Sequence, residues 1–116
     1  MSSLFAAWLR SGEHHVRQPY VIAEIGVNHN GDLAAAHALV DIAADAGAQC
    51  AKFQVFHSES VAASGARTAD YQLNATDETS QLDMIRHLEL PDESWIELKR
   101  HCDARGIDFI ATAFDD

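Results

Sequence analysis

The chain has little cysteine, few cations and no long apolar run, and each scarcity narrows what it can be. Its two cysteines, Cys50 and Cys102, stand far apart and outside any C-x-x-C spacing. That argues against a disulfide framework or a thiolate metal site and makes a reducing, cytoplasmic setting the expectation. Eight Lys and Arg face eighteen Asp and Glu, for a formal charge of −10. Such a balance fits neither a nucleic-acid backbone nor an anionic membrane as partner. An anionic ligand would have to be held by local cations and backbone N–H groups. The apolar run near the start, "LFAAWL", is too short for a membrane span, and Arg10 follows it instead of preceding it as in a signal peptide. Residues 1–18 read as a peripheral lead-in, a helical turn or small hairpin, with His14 and His15 solvated. No internal repeat or low-complexity segment is evident.

What is present points to one α/β domain. In 116 residues, 47% hydrophobic, there is enough apolar material for a core. "YVIAEIG" (Tyr20–Gly26) is β-branched and apolar, begins after Pro19 and reads as a strand. Asp32 then caps a helix whose apolar stripe is Leu33, Ala36, Leu39, Val40, Ala43 and Ala46, with Gly47 as its stop. "CAKFQVF" (Cys50–Phe56) is a second strand. His57 to Thr79 is a long polar stretch, of the kind that serves function when it lies inside a compact domain. "SQLDMIRHLEL" predicts a helix capped by Ser80. "PDESWIELKRHCDARG" predicts another, with Trp95, Ile96, Leu98 and Cys102 inward, Asp92 and Glu93 on the N-terminal dipole and Gly106 at the end. "IDFIATAF" (Ile107–Phe114) is a third strand. Strands alternating with helices define a parallel sheet.

Parallel strands lie under helices and read as unbroken apolar runs, so their polar residues are the informative ones. Side chains alternate across a strand. Glu24 shares a face with Ile22 and Gly26, Lys52 with Gln54, and Thr112 with Ile110, while the opposite faces are apolar. In a doubly wound sheet both faces meet helices, where a lysine is costly. A (β/α)₈ barrel resolves the conflict, because its inner face turns polar at the C-terminal mouth where active sites form. Glu24, Lys52, Gln54 and Thr112 would then converge on one cavity. The plainer alternative for Lys52 is an edge-strand lysine or a salt bridge to Glu24. Just past the first strand, Asn28, His29, Asn30 and Gly31 crowd one loop. Turn chemistry accounts for Asn30 and Gly31, since both residue types tolerate left-handed backbone. A turn does not need His29, and its place at a strand's C-terminal end points to function. His37, His57, His87 and His101 call for no special role.

Four blocks, "PYVIAEIGVNHNGDL", "AGAQCAKFQVF", "ADYQLNATDETSQLDMIRHLEL" and "RGIDFIATAF", resemble in order the N-terminal part of the sialic acid synthases. These are the NeuB-type synthases of N-acetylneuraminate, legionaminate and pseudaminate. The resemblance runs from Pro19 to the end of the chain. It implies that residues 19–116 are the N-terminal portion of a TIM barrel, about three parallel strands with covering helices, incomplete as given. It also implies a transferase that condenses phosphoenolpyruvate with an N-acyl amino sugar such as N-acetylmannosamine, releasing phosphate, in carbohydrate biosynthesis. A divalent metal, Mn²⁺ or Mg²⁺, would polarise the sugar aldehyde in the complete enzyme, with its ligands outside this chain.

By this resemblance Lys52 is the cation that meets phosphoenolpyruvate, and Thr112 hydrogen-bonds the same ligand. Glu24 and Gln54 stand at the sugar and its aldehyde, and Asn74 with Thr76 belongs to a sugar-contacting loop that closes over the site. Asn28 and His29 match the polar loop at the mouth. No residue here matches a metal ligand. Where the family has proline after the strand-three threonine, this chain has Ala113. A barrel needs roughly 250 residues, so three strands alone are expected to be inactive and to self-associate through open edges. Two other readings use the same residues. One is another barrel lyase, a Schiff-base aldolase on Lys52 or a related keto-sugar-acid synthase. The other is a non-catalytic α/β module that binds a sugar or assembles with partners.

Overall fold

A computed structural model describes residues 3–11, 18–61 and 75–114, the side chains of 75–80 excepted. The elements run α1 (Leu4–Arg10), β1 (Ile22–Gly26), α2 (Leu33–Asp45), β2 (Cys50–Val55), α3 (Ala75–Leu88), α4 (Asp92–Arg105) and β3 (Asp108–Ala113). The three strands form one parallel sheet in the order β1-β2-β3. This is the parallel α/β sheet that the alternation of elements predicts.

Local chemistry sets the element ends. The Asp32 carboxylate accepts from the Ala34 and Ala35 amides and so caps α2. Gly106, at φ 72°, closes α4 in the left-handed conformation that glycine adopts without a Cβ clash. Helix α3 starts five residues before the expected Ser80 cap.

The core lies between one face of the sheet and the helices α2 and α4. Ala51 and Phe53 of β2 and Ile25 of β1 meet Ala36 and Val40 of α2, and Leu98 and Cys102 of α4, all buried. Each fully buried side chain the size of Phe53, Leu98 or Val40 contributes about 1.5–3 kcal/mol. Two expected core positions face water instead: Ile96 is 57% exposed and Ala46 is exposed. On α4 the buried stripe is Ser94, Leu98 and Cys102, four residues apart, with Trp95 packed at its border, and this turns Ile96 outward. Ala46 is the C-cap of α2, past its last helical residue. Between α2 and α4, His101 pairs with Asp41 at 2.8 Å and Arg105 joins Asp41 and Asp45.

The other face of the sheet carries the polar residues, and α1 covers its N-terminal end. The Leu4 and Phe5 amides donate to the Asp108 carboxylate at 3.0 and 2.9 Å. The Tyr20 hydroxyl donates to the same group at 2.6 Å, and Phe5 stacks on Trp8 while Tyr20 packs edge-on and tilted against the two rings. The expected lead-in is thus, over its described residues, a short helix tied to β3.

Candidate active site

Strand register determines which side chains meet. Glu24 pairs with Lys52 and Lys52 with Ile110, while Gln54 pairs with Thr112. Strands about 4.8 Å apart bring such partners into direct contact on one face. Lys52 Nζ lies 2.9 Å from Glu24 Oε2, with the two side chains 36% and 48% exposed. An ion pair this open to water is worth at most about 1 kcal/mol, so a ligand can draw either partner away at little cost. One row below, Ile22, Cys50 and Asp108 align as the floor of the same face.

Glycine makes room for this group. The β1–β2 register shifts between Glu24 and Gly26, and Gly26 has φ 58°. A Cβ on Gly26 would stand 3.3 Å from Glu24 Oε1 and 3.9 Å from the Gln54 amide. Gly26 therefore borders both polar side chains, on the face where alternation placed it, and the register shift there is what the structure adds. The Gly at the end of an apolar strand that carries a carboxylate is the sequence signal for it.

The β1–α2 loop divides its residues between two sides. Asn28 is exposed. His29 is 1% exposed, and its ring packs among Phe53 and Trp95, with centroids 6.4 and 6.1 Å away. Phe53 points to the helical side of β2, opposite Lys52 and Gln54, so the expected substrate contact by His29 is corrected by its place in the helix-side core. Its Nδ1 accepts from the Gly31 amide at 3.0 Å, which leaves the proton on Nε2, a buried atom with no partner among the described residues. Burial pushes its pKa below the usual 6.5, because the ring is charged only at a desolvation cost. Gly31, at φ 73°, is required by contact as well as conformation, since a Cβ there would overlap the His87 carbonyl oxygen. Turn chemistry alone does not explain it.

Two sites lie beyond the polar row. At the start of the long polar stretch, the Ser58 amide donates to Glu89 at 3.1 Å and His57 Nδ1 lies 3.3 Å from the same carboxylate. The Ser58 hydrogen bonds hold Glu89 below its usual pKa. On the floor, burial works to raise Asp108, but the Tyr20 hydroxyl and the Phe5 and Leu4 amides outweigh it and keep the carboxyl below 3.8. Burial also raises Tyr20 and Cys50, and it raises Cys102 to about 11, so neither thiol is a ready nucleophile at neutral pH. Asn74 lies outside the described residues, and Thr76 lies in the first turn of α3. No group of three or more His, Cys, Asp or Glu suited to a metal ion occurs among the described residues. No described helix is long and apolar enough to cross a membrane.

A parallel sheet with α2 and α4 packed on one face and Glu24, Lys52, Gln54 and Thr112 in register on the other is part of an incomplete α/β barrel. The NeuB family model matches residues 39–116. N,N'-diacetyllegionaminic acid synthase of Campylobacter jejuni is 44% identical over 101 residues, 86% of this chain and 30% of that protein. Human N-acetylneuraminate-9-phosphate synthase is 35% identical over 84% of this chain and 27% of its own length. The crystal structure of N-acetylneuraminic acid synthetase from Leptospira borgpetersenii superposes with a TM-score of 0.64 at 32% identity, covering 83% of this chain and 29% of that one. The chain belongs to the NeuB family. It spans less than a third of the length of these relatives.

Proposed function

We propose that this chain supplies one wall of the active site of a synthase that condenses phosphoenolpyruvate with an N-acyl amino sugar such as N-acetylmannosamine. The observation that carries the reading is the Glu24–Lys52 pair beside Gln54 and Thr112 on the face of the sheet away from α2 and α4. The names of the relatives, synthases of legionaminic acid and of N-acetylneuraminate 9-phosphate, support the same chemistry.

In this reading the Lys52 ammonium receives the anionic end of phosphoenolpyruvate, and the Thr112 hydroxyl donates to the same ligand. Glu24, released from Lys52, binds sugar hydroxyls or takes up a proton, and Gln54 orients the aldehyde. Asn74 and Thr76 contact the sugar, and Asn28 belongs to the polar loop at the mouth. The methylene carbon of phosphoenolpyruvate attacks the aldehyde carbon, and the carbonyl electron pair moves to oxygen, which is protonated. Water adds to the cation left at C2 and loses its proton. The tetrahedral intermediate then expels inorganic phosphate with C–O cleavage, leaving a 2-keto acid. A divalent metal would supply polarisation of the aldehyde. The described residues do not form a site for one, so no ligand and no step is assigned to it here.

The test is phosphate release from phosphoenolpyruvate and N-acetylmannosamine, or a diacetylated amino sugar, by the synthase that carries these residues. Lys52→Ala is expected to lower kcat/KM by about 10²–10³-fold, the usual cost of removing one preorganised group aimed at developing charge. Near-normal turnover in that variant would remove Lys52 from the mechanism. The 116 residues alone are expected to give no metal-dependent turnover, because one wall does not enclose a substrate.

A further inference from the structure

On the basis of that synthase reading, we propose that His29 is a positioning residue. It locks the β1–α2 loop, and with it Asn28 and the Gly26 bulge beside Glu24, without touching substrate. Its ring sits on the opposite side of β2 from Lys52 and Gln54, between Phe53 and Trp95, so it has no path to the polar row.

The loop it serves is tightly wound. Asn28 donates to the Ile25 carbonyl, Asn30 to Val27 and Asp32 to His29, each at 3.0 Å, and Asn30 and Gly31 are both left-handed at φ 54° and 73°. Asn and Gly both tolerate this backbone, so what fixes the turn against the rest of the molecule is contact from outside it. The His87 carbonyl against Gly31 is one such restraint, and the His29 Nδ1 acceptor on the Gly31 amide is the other. A phenylalanine would fill the same slot without stranding Nε2. The feature only histidine adds there is the Nδ1 acceptor, and its one partner among the described residues is the loop's own Gly31 amide. The neutral ring is what the bond requires, since a proton on Nδ1 would face the Gly31 N–H. The layer around the ring holds it neutral: Phe53 and Trp95 are uncharged, and desolvation is the cause of its lowered pKa.

Two substitutions in the complete synthase separate the parts of this role. His29→Phe keeps the ring and removes the acceptor, whereas His29→Asn places an amide oxygen near the Nδ1 position and removes the ring. His29→Phe is expected to hold Tm near wild type, speed amide exchange at Gly31 and lower kcat/KM by about 10–100-fold, the scale of a small misplacement of reacting groups. His29→Asn is expected to lower Tm yet keep Gly31 protected and kcat/KM close to wild type. Activity that follows Tm in both variants would make His29 a packing residue and overturn the proposal. Equal loss of activity in both variants with Gly31 still protected would make it a substrate contact and overturn it too. If the wild-type protein condenses nothing, the synthase reading fails, and Gly31 exchange in the two variants decides whether His29 holds the loop.

Discussion

Lys52 faces a formal charge of −10 across the chain, and its neighbour Glu24 neutralises it locally at 2.9 Å. That pair is weak in water, which is what a site for an exchangeable anionic ligand needs. Gly26 has the complementary role of empty space. Gly26→Ala places a side chain at φ 58° and 3.3 Å from Glu24 Oε1. We expect a loss of about 1–2 kcal/mol from the left-handed backbone alone, read by urea unfolding. We also expect a higher KM for the sugar, because Glu24 must move. Unchanged KM would place Glu24 away from the sugar. The direction of Glu24, Lys52, Gln54 and Thr112 was legible in the sequence, because alternation along a strand is a local property. The direction of His29 was not, because it depends on where the chain turns after the Gly26 bulge.

At the scale of elements, α1 and the start of β3 form one unit through Asp108. Its carboxylate accepts from two amides of α1 and from Tyr20, and these bonds keep it ionised to lower pH than usual. The folded pKa lies below 3.8, so the contribution is complete above that value and is lost as pH falls through the lower folded one. Trp8 emission, which reports the Phe5–Trp8–Tyr20 cluster, is expected to stay constant from neutral pH down to about 4 and to shift in stronger acid. In Asp108→Asn the shift is expected already at neutral pH. Identical titrations of the two proteins would mean that aromatic stacking alone holds α1. Residue patterns predicted a lead-in here but no partner for it, since a bond across 104 positions leaves no trace in a local window.

For the molecule as a whole, α2 and α4 cover one side of the sheet and α1 only the N-terminal end of the other, and Ile22, Ile110 and Phe114 stay exposed at 45%, 39% and 57%. We expect the isolated chain to associate with itself to cover these surfaces. Sedimentation at rising concentration should show a growing mean mass, and a strict monomer would refute the expectation. Periodicity by itself determined three strands, the helices that precede β2 and β3, and the polar face, because each follows from side-chain spacing along one element. Tertiary structure alone decided that register sets Glu24 against Lys52 and Gln54 against Thr112, that the Gly26 bulge opens room beside them, and that His29 turns into the helical core. Those outcomes depend on contacts between segments distant in sequence, and only the folded chain brings such segments together.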